Sequence, residues 1–93
     1  NEQDIEEQAE VISESLNQED VAVGRRGNLC DITVTGIDGN ATYVYMKMKG
    51  CTYDMRKNED ASYSVTIDSK NYWNDVEFIT YQAGKITKYS LVQ

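Results

Sequence analysis

From residue 29 to the C-terminus, apolar and polar side chains alternate in short runs divided by glycine and Asp/Asn turns, a period of two that extended chain satisfies and a helix does not. Cys30, Ile32 and Val34 alternate with Asp31, Thr33 and Thr35 over residues 29–37. Val44, Met46 and Met48 alternate with Tyr43, Tyr45, Lys47 and Lys49 over 41–49, and Tyr63, Val65 and Ile67 with Ser64, Thr66 and Asp68. Asp38-Gly39 reads as the turn of a first hairpin, Gly50 as a bulge or bend, and Gln82-Ala83-Gly84 as the loop of a last hairpin joining 76–81 to 85–91. Val21-Ala22-Val23 is a short apolar run that a turn over 24–28 follows.

The first twenty residues read differently. Ile5, Ala9, Ile12 and Leu16 recur at i, i+4, i+7 and i+11, with Glu6, Glu7, Glu10 and Glu14 opposite them. Asp4 and Glu7 fit a capping box, and acids in a first turn suit the positive end of a helix dipole. The expectation is a single α+β domain over 1–93: an acidic amphipathic helix (1–20) packed on a four- to five-stranded antiparallel meander (21–93). Ile5, Ala9, Ile12 and Leu16 would dock on Ile32, Val34, Val44 and Met46.

A helix followed by successive antiparallel strands resembles the cystatin-like order of elements, in which a sheet wraps around an N-terminal helix. The resemblance implies that fold and no more. Cystatin inhibitors present a Gln-x-Val-x-Gly hairpin and a Pro-Trp hairpin; Tyr81-Gln82-Ala83-Gly84-Lys85 does not match the first, and a chain without proline lacks the second. No inhibitory residue carries over.

Charge and composition narrow the chemistry. The 1–20 segment holds eight acids and no base, and the remainder is almost neutral, giving a net charge of −7 that repels phosphate backbones, so no nucleic-acid partner is expected. There is no histidine, which removes the commonest general base and most zinc sites. Asp68, Asn71, Asn74 and Asp75 crowd oxygen donors together but match no calcium loop. No phosphate-binding glycine loop is present. The reading is a protein without catalytic residues, metal or cofactor.

Seven tyrosines dominate the nine aromatic residues, and Tyr43 and Tyr45 share a strand face with Lys47 and Lys49. Tyrosine joins a large apolar contact area to a polar tip, so these four are the candidate partner-binding residues. Cys30 and Cys51 would close a disulfide if the chain bends after Gly50. Asn40-Ala41-Thr42 is a glycosylation triplet. The polar lead from Asn1 and the even cysteine count point to an extracytoplasmic protein, secreted, periplasmic or held by a lipid anchor upstream of Asn1, and no stretch is apolar enough to span a membrane. The expected function is a small protein-binding module of inhibitor, immunity, adaptor or assembly-factor type, acting through its sheet face or hairpin edges. The alternative is a carrier of a small apolar ligand or lipid in a cavity between helix and sheet, lined by Met46 and Met48.

Overall fold

Alternation dictates extended chain, and extended chain is nearly all that the computed structural model contains over the residues it describes, 10–37, 39–68 and 76–92. The strands are β1 (Glu10–Leu16), β2 (Val21–Arg26), β3 (Leu29–Val34), β4 (Tyr43–Met48), β5 (Cys51–Asp54), β6 (Arg56–Lys57), β7 (Tyr63–Asp68), β8 (Glu77–Gln82) and β9 (Lys85–Leu91). The sole helical element among the described residues is a three-residue 3₁₀ turn, Gln18–Asp20. The strands form two sheets, one of five in the order β1-β9-β8-β4-β5 and one of four in the order β2-β3-β7-β6. All pairings are antiparallel except β1 with β9.

The core lies between the sheets and is the sum of their inward rows. Cys30, Ile32 and Val34 of β3 and Tyr63 and Ile67 of β7 face Val44, Met46 and Met48 of β4 and Phe78 of β8, with Leu16, Ile37 and Val76 closing the margins. Phe78, Ile32 and Met46 are wholly buried. Burying side chains of this size contributes about 1.5–3 kcal/mol each, which makes this layer the main source of stability.

The two sheets cross instead of lying aligned. In the five-stranded sheet, Leu16 pairs with Leu91, and the pairs Glu77–Ser90 and Lys47–Glu77 place it at the same end as Lys47. Met55 belongs to the opposite end, where its N–H donates to the Val44 carbonyl at 2.9 Å. Both corners nonetheless meet one end of the other sheet. Thr35 N donates to Asp20 O at 2.8 Å beside the Val21–Val34 pair, and Lys57, two residues past Met55, pairs with Tyr63. That end therefore runs along the diagonal of the five-stranded sheet. The chain changes sheets at both corners, across residues 17–20 and at Met55, as expected of crossed sandwiches.

Four expectations are corrected. The α+β fold with an N-terminal helix is replaced, over the described residues, by a nearly all-β sandwich, because residues 10–16 form an edge strand. Ile5 and Ala9, with the Asp4–Glu7 cap, lie outside the described residues; Ile12 and Leu16 are four apart, and a spacing of four puts two residues on one face of a strand as well as of a helix. Val11, Ile12, Ser13 and Ser15 are all poor helix formers, and β9 supplies the backbone partners. The cystatin-like order of elements falls with the helix. Second, Asp38-Gly39 does not close a hairpin: β3 and β4 belong to different sheets, and the 35–42 connection crosses between them (Asp38 itself lies outside the described residues). Third, Gly50 is no bulge. Lys49 and Gly50 (φ 51° and 78°) form a two-residue hairpin loop, and Ala83 and Gly84 (φ 48° and 79°) form another where a three-residue loop was expected. Both have the paired positive φ of a type I′ turn. Fourth, Met46 and Met48 do not line a cavity under a helix; they are packed between the sheets.

Candidate functional site

Pairing on either side of β4 decides what surrounds the candidate tyrosines. Directly opposed residues share a face, so Tyr43, Tyr45 and Lys47 point away from the core together with Tyr81, Ile79 and Glu77 of β8 and with Asp54 and Thr52 of β5. The rings form a short row: Tyr43 and Tyr45 lie 6.2 Å apart, 18° from parallel, and Tyr43 and Tyr81 are 6.0 Å apart at 32°. Such offset contacts hold aromatic side chains in one orientation. Tyr43 is 48 % exposed, while Tyr45 and Lys47 are half-buried. Lys49, the fourth candidate, is exposed in the β4–β5 loop and does not join the row. The structure thus brings three of the four together and adds Tyr81.

The middle of this face is closed. Ile79 and Ile86 stand opposite Tyr45 and Tyr81 on the outward side, yet both are 1 % exposed and lie outside the intersheet core cluster. Accessible parts remain at its margins, with Val11, Ser13 and Ser15 on β1 and Ser90 on β9, and with Thr52 and the corner at Tyr43 on the other side. There a cleft of 460 Å³ opens between 41–45 and 54–57, lined by Ala41, Thr42, Tyr43, Val44, Tyr45, Asp54, Met55, Lys57 and Tyr63. Asp54 is exposed, and its carboxylate makes no hydrogen bond or ion pair among the described residues. Lys57 Nζ, in contrast, donates to the Gly39 carbonyl at 2.7 Å. Tyr63, Tyr81, Asp54, Met55 and Lys57 were not legible as site residues. The one local signal is that Asp54 and Lys57 follow a tyrosine-rich strand within ten residues; their convergence depends on the change of sheet at Met55.

The outward face of the other sheet is largely polar, and many of its side chains meet one another. Arg26 grips Asp31 through Nε (2.6 Å) and Nη2 (3.2 Å), and Thr66 Oγ1 donates to the same carboxylate at 2.6 Å. The Arg26 and Thr66 hydrogen bonds hold the Asp31 carboxyl down to about 2. Asn58 Nδ2 donates to Ser62 Oγ and Ser64 Oγ (3.0 and 2.7 Å), Thr33 and Ser64 hydroxyls meet at 3.0 Å, and Asp60 accepts from Ser62 N and Oγ. Most of these donors and acceptors are matched to one another, with Arg56 and the exposed Leu29 standing apart, so the centre of this face reads as structural.

Cys30 and Cys51 are not bonded. Cys30 is buried on β3 in one sheet and Cys51 exposed on the edge strand β5 of the other. The expected bridge supposed that β3 and β4 were hairpin partners; they lie in different sheets, and the turn at Lys49-Gly50 carries Cys51 onto β5, away from β3. Tyr53, two residues from Cys51, has its phenol pushed up by burial and by that thiol. Among the described residues no group of three His, Cys, Asp or Glu side chains is placed to hold a metal, and of the four loop oxygen donors named above only Asp68 is described.

Over the described residues, fold and cleft define a small, nearly all-β sandwich with a tyrosine-walled corner. Comparison with known proteins returned no matching family model, no matching curated protein and no matching solved structure.

Proposed function

We propose that this chain is a small protein-binding module whose contact surface is the corner of the five-stranded sheet at Tyr43, with Tyr45, Tyr81 and the adjoining cleft. The observation that carries the reading is the exposed Tyr43 ring, held between Tyr45 and Tyr81 on the wall of a 460 Å³ cleft. Rigid tyrosines offer a large contact area at low entropic cost, and anchors of this kind dominate the energetics of protein interfaces. Lys47 and Lys49 then belong to the rim. Among the described residues β5 pairs only with β4, so its outer edge can accept an extended segment of a partner beside the cleft. Inhibitor, immunity, adaptor and assembly-factor roles all use a surface of this type. An extracytoplasmic setting belongs to the same proposal, although the disulfide that supported it is gone.

The test is selection of a random peptide library on the immobilised protein, repeated with Tyr43→Ser and with Thr66→Ala on the opposite sheet. Enrichment of a consensus that Tyr43→Ser abolishes and Thr66→Ala leaves intact supports the reading. Absence of any consensus, or one indifferent to Tyr43→Ser, contradicts it.

A further inference from the structure

We infer that the Tyr43 cleft recognises an arginine side chain presented by an extended partner segment. The inference rests on the reading of this corner as a binding surface and names what the corner selects. Three of the nine lining residues, Tyr43, Tyr45 and Tyr63, are tyrosines, and the only acid among them is Asp54, directly opposite Tyr45 across the β4–β5 ladder. Directly opposed residues bring their Cβ atoms to about 4.5–5.5 Å, so the carboxylate and the Tyr45 ring reach a common guest. Aromatic faces attract cations within about 6 Å of the ring centroid. A planar guanidinium stacks on such a ring while its fork meets a carboxylate through two parallel hydrogen bonds, which a lysine ammonium does not do.

Charge decides the sign of the guest. The cleft holds one acid and one base, but they are not equivalent. Lys57 spends its ammonium on the Gly39 carbonyl at 2.7 Å, whereas Asp54 has no side-chain partner among the described residues. An uncommitted carboxylate beside tyrosine rings favours a cation that reaches both. The volume of 460 Å³ also exceeds what one guanidinium fills and leaves room for the aliphatic stem and its neighbours.

The experiment is a titration followed by NMR, with N-acetylarginine amide, its neutral isostere N-acetylcitrulline amide and the acidic N-acetylaspartate amide as probes, each up to tens of millimolar. Wild type and Asp54→Asn are compared; Asp54 is exposed, so the substitution leaves the fold intact. The expected result is that arginine shifts the Tyr43, Tyr45 and Asp54 resonances and that citrulline binds roughly five- to thirtyfold more weakly. Asp54→Asn should bring arginine down to the level of citrulline. Equal binding of arginine and citrulline overturns the inference, as does preferential binding of the acidic probe or no shift at the cleft with any probe. None of these outcomes decides whether the corner binds proteins, because the peptide selection reads Tyr43 dependence whatever the charge of the guest.

Discussion

Leu16 approaches Gly36 closely enough to leave little room for a side chain there: a Cβ added to Gly36 would lie 3.3 Å from Leu16 Cδ2, and Gly36 sits at φ +83°. The close approach lies where the end of β1 passes the connection leaving β3, at the corner where the chain first changes sheets. Gly36→Ala therefore meets two penalties, a left-handed backbone and a tight neighbour, and should destabilise the protein by about 1–3 kcal/mol. Gly24→Ala, with nothing within 4 Å of the added Cβ, should leave stability within about 1 kcal/mol of wild type. Urea unfolding of the two variants checks this, and equal midpoints would show that the corner does not require a glycine at 36.

Leu16 is 4 % exposed and Glu14 is exposed on the same strand. Leu16→Ala should cost about 2–5 kcal/mol. Ser13→Ala and Ser13→Val separate the two conformations of this segment. On the exposed edge strand valine should be at least as stable as alanine, whereas in a helix alanine would be favoured by about 0.5 kcal/mol. Thermal melts of the pair, with far-ultraviolet circular dichroism, read the difference.

Much of this was legible in the sequence, and the failures have identifiable causes. That Ile32/Val34 and Val44/Met46/Met48 are inward rows is legible, because alternation with a polar partner row fixes which side chains face inward once the strand exists; that they face each other from two sheets, and not a helix from one, is not. What alternation does not carry is the pairing partner. Asp38-Gly39 has the composition of a hairpin turn, yet β3 prefers β2 and β7, whose apolar rows complete its own face. The Ile12–Leu16 spacing suits both helix and strand, and only β9, some seventy residues away, decides between them. For the same reason Tyr43 and Tyr45 were found as a local stripe, whereas Tyr81, Asp54, Lys57 and Tyr63 came to light only with the folded corner.

Asp31 gives a pH test. Its carboxyl is held at about 2 by Arg26 and then Thr66, below the unfolded value of about 3.9. A depressed folded pKa means that the unfolded chain binds the proton first as pH falls. The contribution is therefore present above about 4 and is lost as pH drops towards 2. Because the pair is exposed, the effect should be small and weakened by salt. Urea midpoints measured from neutral pH down to 2 should fall more steeply for wild type than for Asp31→Asn between pH 4 and 2. Identical slopes would mean that Arg26 and Thr66 do not bias Asp31 in solution.

The cysteines offer a direct check on the corrected pairing. Cys51 is exposed and Cys30 buried. Unreduced native protein should take up one alkyl group rapidly, at Cys51, and a second only on unfolding. Intact mass after iodoacetamide treatment shows this. A protein that takes up none until a reductant is added contains the bridge after all, and would restore the support that it lent to an extracytoplasmic setting.

The central claim is that the Tyr43 corner, and not the polar face of the other sheet, is where this domain meets its partner. The most direct measurement is amide chemical-shift mapping with the peptide that the library selection yields. Perturbations should concentrate on Tyr43, Tyr45, Asp54, Met55 and Lys57 and leave Arg26, Asp31 and Thr66 unmoved. Perturbations centred on Arg26, Asp31 and Thr66, with the Tyr43 corner silent, would contradict it.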